Sequence, residues 1–274
     1  MMDNPSLLFY YRRFNVSLQP GKCAGWGVLG KLIDLEDKSI VNPVDIQASD
    51  AEKLKQLHQL SLENEPAIKA FLEKVDTKYG TKSATSHKKP EAILEKASRK
   101  SIKDVKPWHD VEHIRDSFRF KTVLKDIEDL PKIAEDLKES GFEVIKTDTD
   151  KVLVPGPWGW RIAAFDLKMP NGQLVEYYLP VQELEQAKKN GNHKLFEKWR
   201  NADMDKLSAK EQLEYLNDLD DSNDRYEQAW SDYCNRTKQK PDRVRALLDK
   251  TEAVFEKSKE EGTDSKSNFA ATPK

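Results

Sequence analysis

The chain has 274 residues, with 46 Lys+Arg against 48 Asp+Glu, a formal charge of -2, and 37% hydrophobic against 34% charged residues. That length suits one large domain, or one domain with helical additions, rather than a multidomain array. No apolar run approaches the roughly 20 residues needed to cross a bilayer, and the balanced charge excludes a protein that coats duplex DNA electrostatically, leaving only local basic clusters as phosphate sites.

The opening MMDNPSLLFYYRRF has neither a basic n-region nor a small-residue cleavage site, so an unprocessed chain is expected. Residues 1–48 combine this aromatic start with the glycine-rich Pro20-Gly-Lys-Cys-Ala-Gly-Trp-Gly-Val-Leu-Gly30 and read as a separate small lobe of unassigned role. Cys23 and Cys234 stand far apart in a Lys- and Glu-rich chain, which fits neither a disulfide scaffold nor a zinc site and points to a reduced, cytoplasmic setting. From Ser49 to Tyr79, Leu54, Leu57, Leu60, Ile68, Phe71, Leu72 and Val75 recur at helical spacing, giving one long or two short helices capped at Ser49 or Asp50 and stopped at Gly80. Thr81 to His87 reads as a polar loop, and Pro90 starts the next helix.

After Pro107 the pattern changes to strands. His113 to Leu124 is the first, followed by a helix over Asp126 to Glu139 that ends at Gly141. Phe142 to Lys146, Trp160 to Leu167 and Leu174 to Leu179 are three more strand candidates, the last two joined through Asn171-Gly172, a strong hairpin signal. From Val181 the chain turns helical over Glu183 to Arg200, Ala209 to Lys238 and Arg243 to Lys257, and Ser258 to Lys274 reads as a disordered tail. Helices, a βαβββ-like unit and more helices make an α+β fold with a mixed, partly antiparallel sheet of four to five strands. Residues 49–205 form its principal domain, and 206–257 a helical extension.

Four stretches carry chemistry. In Lys88-Lys-Pro-Glu-Ala-Ile-Leu-Glu-Lys96, continued by Arg99 and Lys100, helical spacing puts Lys96, Arg99 and Lys100 on one face with Lys88 at the helix entrance. Such a cationic comb either holds a triphosphate or is a solvated Lys/Glu face. In Arg115-Asp-Ser-Phe-Arg-Phe120, Asp116 falls on one face with Phe118 at a strand end, a usual place for a magnesium ligand, and Glu176 is a second carboxylate inside an apolar strand, where an unpaired charge is costly. Together they can bind one metal, or divide metal binding and base catalysis. In Gly156-Pro-Trp-Gly-Trp-Arg161 the Trp160 ring beside the Arg161 cation is either a base-stacking platform or a core plug. His193 and Arg200 lie on the first C-terminal helix, spaced so that both can face the same site.

Taken in order, Lys-x-Pro-Glu-x-Ile-x-x-Lys, Arg-Asp-x-x-Arg-Phe, Gly-Trp-Arg, Pro-x-Gly-x-x-Val-Glu and His-x-x-Phe resemble the RelA/SpoT-type alarmone synthetase domain, in its toxin-like, single-domain branch, over Asn64 to Arg200. The resemblance implies a nucleotidyltransferase-like sheet and transfer of pyrophosphate from ATP to a ribose 3′-hydroxyl of a guanine or adenine nucleotide, with pyrophosphorylation of the tRNA 3′ end as the alternative. It implies Lys88, Lys96, Arg99 and Lys100 on the ATP phosphates, Asp116 on Mg2+, and Glu176 as base or second metal ligand. Trp160, Arg161 and His193 would bind the acceptor. It further implies a growth-inhibiting toxin or effector, working in the cytoplasm of its own or a target cell, with an antitoxin or immunity protein as partner. Three departures bear on the acceptor: Ala92 replaces the family's Ser, Arg161-Ile-Ala-Ala164 lacks its Ser and His, and Glu176-Tyr-Tyr-Leu179 lacks its Gln and Arg.

Three other readings compete. Cys23 among glycines faintly resembles a cysteine-protease nucleophile, but none of the five histidines sits in a matching box. His109-Asp110 with His113 suggests a metal-dependent hydrolase, but further ligands are wanting. An inactive synthetase-like module would bind a nucleotide or partner without turnover, which the joint presence of Asp116 and Glu176 opposes.

Overall fold

The computed structural model describes residues 38–267, with side chains up to Glu256. The chain divides after Ile40, earlier than the boundary at residue 48 read from composition. Asn42 accounts for the difference: its amide donates to the Glu112 and Ile114 carbonyls at 3.0 and 2.8 Å and accepts from Leu174 N–H at 2.8 Å, tying the following residues to the main unit. The glycine-rich stretch and Cys23 lie outside the described residues.

Helix α1 (Asp50–Tyr79) is one helix despite Pro66, capped by Ser49 and ended by Gly80 in the left-handed region at φ 62°. Strand β1 (Lys82–His87) replaces the expected loop. Its Ser and Thr residues have no apolar alternation because it is an edge strand, pinned by Asp76, which accepts from Ser83 N–H at 2.9 Å and from Thr81 Oγ1 at 2.7 Å. Helix α2 (Pro90–Ser98) begins at its proline, and β2 (Phe118–Val123) is shorter than the sequence suggests because Val111–His113 forms a 3-10 turn. Then follow α3 (Leu130–Glu139), β3 (Glu143–Asp148), β4 (Ala163–Lys168) and β5 (Leu174–Leu179). The β4–β5 hairpin turns at Gly172, φ 84°.

The expected helix over 183–200 is broken into α4 (Gln182–Ala187), a π-helical turn Lys188–Asn192 and α5 (His193–Trp199), because Gly191 takes φ 120°. Helices α6 (Ala209–Thr237) and α7 (Pro241–Ser267) complete the unit. The α7 backbone is helical to Ser267, ten residues past Lys257, where the sequence reading places a tail. No helix of the described residues is long and apolar enough to cross a membrane.

The sheet has five strands in the order β1-β2-β5-β4-β3, antiparallel except for the parallel β2–β5 pair, confirming the mixed α+β class. Strand periodicity then separates two faces. Phe118, Phe120, Phe165, Leu167, Val175, Tyr177 and Leu179 point into the core, where Phe71 of α1 meets Phe120, Phe142 and Tyr177 edge-on. Each such side chain contributes about 1.5–3 kcal/mol on burial. The opposite face carries Arg119, Lys121, Asp166, Glu176 and Tyr178, all half-buried.

Candidate active site

Helix α2 is held by Ile93 and Ala97, four residues apart, which pack with Leu57, Val111 and Ile114 in a second apolar cluster. This leaves Lys96 directed at the chain just before β2. Its Nζ lies 2.8 Å from Asp116 Oδ1, and Lys88 Nζ hydrogen-bonds Oδ2 of the same carboxylate. The Lys88 N–H donates to the Ser117 carbonyl at 2.8 Å, fixing the crossing. Asp116 is only 5% exposed. Burial alone would raise its carboxyl, but the charges of Lys96 and Lys88 outweigh that and hold it at about 2. Burial pushes Lys88 in the opposite sense, below the usual lysine range. The expectation that Asp116 shares a face with Phe118 is corrected here: β2 begins at Phe118, which stacks on His87 and belongs to the core, while Asp116 precedes the strand and turns to the lysines.

Beside this cluster, Glu176 is raised above the usual glutamate range, chiefly by burial and next by the negative charge of Asp116. Two neighbouring carboxylates are thus driven apart, one firmly ionised and one held closer to protonation, the division expected of an anchor and a base. In register, Glu176 faces Arg119 on β2 and Asp166 on β4. Asp166 is bound by Arg115 at 2.5 Å, and Arg119 Nε donates to Ser86 Oγ at 3.1 Å. The Tyr178 hydroxyl donates to Glu176 Oε2.

The remaining residues expected at the site separate into three groups. Arg99 does not continue the comb of Lys96: α2 ends at Ser98, Arg99 is extended, and its guanidinium forks onto Glu95 at 2.7 and 3.0 Å. Arg200 reaches the same carboxylate at 3.5 Å, so both arginines stay near α2. Lys100 is turned away, 72% exposed and paired with Asp203 at 3.1 Å, because the helical register breaks at Arg99. Arg161 is also corrected: it is 7% exposed, donates to the Val152 and Leu153 carbonyls and to Glu227 at 2.7 Å, and lies over the Trp230 ring. Its Nη1 and Nη2 groups join the β3–β4 connection to α6, while Nε is buried without a hydrogen-bond partner among the described residues. Trp160 is half-buried, edge-on to Tyr226 at 5.3 Å, with Lys188 5.1 Å above its ring. His193 is half-exposed, 3.3 Å from Glu197, and its imidazole is shifted down first by burial, with Lys188, Arg119 and Arg200 adding to the shift.

Arg119, Lys121 and Tyr178 share the Glu176 face of the sheet and Lys188 lies over the Trp160 ring, although none was given a role from the sequence. Arg119 is the register partner of Glu176 across the parallel β2–β5 pair. Strand alternation in Phe118-Arg-Phe-Lys121 was the available signal. Lys121 pairs with Glu185 of α4, which docks that helix over the same face.

No family model matches the chain, and no curated protein matches it. Its structure is similar to those of alarmone synthetases. Small alarmone synthetase 2 from Bacillus subtilis is 17% identical, with a TM-score of 0.48 over 67% of this chain and 97% of that one. Small alarmone synthetase 1 of the same organism, bound to its product pppGpp, is 20% identical, with a TM-score of 0.46 over 67% and 95%. The Type VI effector Tas1, in complex with its immunity protein, is 18% identical, with a TM-score of 0.45 over 65% and 96%.

No group of three or more His, Cys, Asp and Glu side chains that could hold a metal ion exists among the described residues. His109 and His113 pack with Trp108, their rings 5.7 Å apart, and burial lowers His109 to about 4. Asp116 and Glu176 are a pair of carboxylates, which suffices for Mg2+ when substrate phosphates and water complete its shell. Their mutual repulsion, visible in Glu176, is what a divalent cation would relieve.

Proposed function

We propose that the chain is an ATP-dependent pyrophosphokinase that modifies the ribose 3′-hydroxyl of a guanine or adenine nucleotide. The observation that carries this reading is the juxtaposition of Asp116, closed between Lys88 and Lys96, with the raised carboxyl of Glu176. Lys88 and Lys96 exchange their carboxylate partner for phosphate oxygens of ATP, so binding the triphosphate frees the Asp116 oxygens. Mg2+, held by Asp116, would neutralise phosphate charge, which leaves Glu176 as the base. Arg119 and Lys121 present further positive charge along the sheet face, and Trp160 offers its ring to the acceptor base.

Glu176 accepts the proton of the 3′-hydroxyl as the ribose oxygen bonds to the β-phosphorus. The bond from that phosphorus to the α–β bridging oxygen breaks, and AMP leaves. His193 would contribute to the acceptor side. Unopposed accumulation of the product would slow growth, which makes a toxin or delivered effector, neutralised by a protein partner, the biological setting that this reading favours.

The test incubates purified protein with γ-labelled ATP, magnesium and a mixture of GDP, GTP, ADP and deacylated tRNA. The expected result is label on one purine nucleotide with AMP released in equal amount. Label on tRNA instead moves the reading to the 3′ end of that molecule, and no label with background AMP overturns it.

A further inference from the structure

Glu176 and Tyr178 are two apart on β5, so their side chains leave the sheet on one face, opposite the buried Val175, Tyr177 and Leu179. The other residues in the Glu176 row are engaged elsewhere. Asp166 is held by Arg115, and Arg119 donates to Ser86. Among the described residues, the hydrogen bond from the Tyr178 hydroxyl to Oε2 is the one that the Glu176 carboxylate makes to protein. A glutamate has three side-chain torsions, and a base that must meet a hydroxyl at hydrogen-bonding distance loses rate steeply when it wanders. A carboxylate anchored through one oxygen can present only the other. The phenol suits this task because its ring is rigid, its hydroxyl is protonated at neutral pH, and its place on the strand is fixed opposite Lys121 and Ala164.

We infer that Tyr178 is a positioning residue for the transfer reaction, its hydroxyl fixing one oxygen of Glu176 so that the other faces the acceptor hydroxyl. The inference rests on the pyrophosphokinase reading, and it singles out a residue at one of the places where this chain departs from the family pattern it resembles.

The test measures steady-state kinetics of the full chain as wild type, Tyr178→Phe, Tyr178→Gln, Glu176→Gln and the double variant Tyr178→Phe/Glu176→Gln, using ATP and whichever acceptor the wild type modifies. Tyr178→Phe should lower kcat by roughly 10- to 100-fold while leaving KM for ATP and acceptor within about twofold. Tyr178→Gln, which keeps a donor, should recover part of the loss. In the Glu176→Gln background, Tyr178→Phe should cost nothing further, because the carboxylate it positions is gone. Unchanged kcat in Tyr178→Phe, a raised acceptor KM at full kcat, or an equal loss in both backgrounds overturns the inference. Should Tyr178→Phe lose its melting transition, fluorotyrosine at position 178 replaces it. Then kcat must follow donor strength while the melting temperature stays constant, and a constant kcat overturns the inference. A wild type that modifies no acceptor overturns the pyrophosphokinase reading and this role with it, whereas an active wild type with an equally active Tyr178→Phe overturns this role alone.

Discussion

Arg119 and Glu176 are register partners across the parallel pairing of β2 and β5, so a cation and the proposed base stand side by side on the exposed face of the sheet. Among the described residues Arg119 makes one hydrogen bond, to the neutral Ser86, so its charge serves the cleft more than the fold. Arg119→Met should lower kcat/KM by roughly 100-fold, as removal of a preorganised charge does. The melting temperature should move by only about 2 °C. Intact turnover together with a large loss of melting temperature would assign Arg119 to structure.

Asp116 carries both a structural and a chemical charge. Asp116→Asn leaves the Lys88 and Lys96 ammonium groups without their counter-ion, a change that should cost roughly 3 kcal/mol in the free protein. ATP should restore more melting temperature to this variant than to the wild type, because phosphates replace the lost carboxylate. The pH dependence has a definite sign. The Asp116 carboxyl is depressed from 3.8 to about 2 on folding, so its stabilisation is complete above 3.8 and is lost as pH falls toward 2. Acid unfolding of Asp116→Asn should lack that component, and an unchanged acid transition would remove the ion cluster from the account of stability.

Glu176 is shifted the other way, so the reaction should show an acid limb. Protonation removes the base, and burial with the Asp116 charge places the limb of kcat/KM, which reports the free enzyme, above the ordinary glutamate value of 4.5. Lys96 opposes that shift, so Lys96→Ala should move the limb to higher pH as well as raise KM for ATP. A limb that stays in place in Lys96→Ala would remove Lys96 from the electrostatics of Glu176.

Residues whose local chemistry is self-contained were legible in the sequence. Pro90 starts α2, Gly80 ends α1, and Asn171-Gly172 turns the β4–β5 hairpin, each by backbone preferences that need no partner. The pairing of Lys88 and Lys96 with a distant acid was not, although all three residues were singled out, because a salt bridge leaves no mark on spacing. Strand β1 was hidden because an edge strand can be polar on both faces and takes its register from β2, more than thirty residues later. Lys100 and Arg161 misled for a common reason: a cation beside a motif reads as part of it, until the break after Ser98 or the carbonyls of Val152 and Leu153 claim it.

Lys100 therefore gives a sharp control. Its ammonium sits on the surface with Asp203, whereas Lys96 is drawn into the cleft. Lys100→Ala should leave kcat and KM for ATP within about twofold of wild type, the usual result for a screened surface pair. Lys96→Ala should impair both. Equal impairment by the two changes would return Lys100 to the phosphate site and require the chain after Ser98 to rearrange when ATP binds.

Trp160 and Arg161 are adjacent in sequence and should fail in opposite ways. Arg161 is buried, and its removal leaves the Val152 and Leu153 carbonyls without their donor, so Arg161→Ala should cost about 1–3 kcal/mol of stability. Its acceptor KM, measured well below the melting transition, should not change. Arg161→Lys should recover little, since an ammonium cannot reproduce the spread of a guanidinium. Trp160 touches Tyr226 and Lys188 but keeps part of its ring accessible, so Trp160→Leu should fold and weaken acceptor binding by roughly 1–3 kcal/mol while ATP binding is spared. Lys188 is the informative partner, because its ammonium lies over the same ring that the acceptor base would use. If the base displaces it, Lys188→Met should tighten the acceptor or leave it unchanged. Loss of acceptor binding in Lys188→Met, equal to that in Trp160→Leu, would instead mean that ring and ammonium hold the acceptor together. A Trp160→Leu protein that binds acceptor normally but melts early would make the ring a core plug, and acceptor recognition would then have to come from residues such as His193.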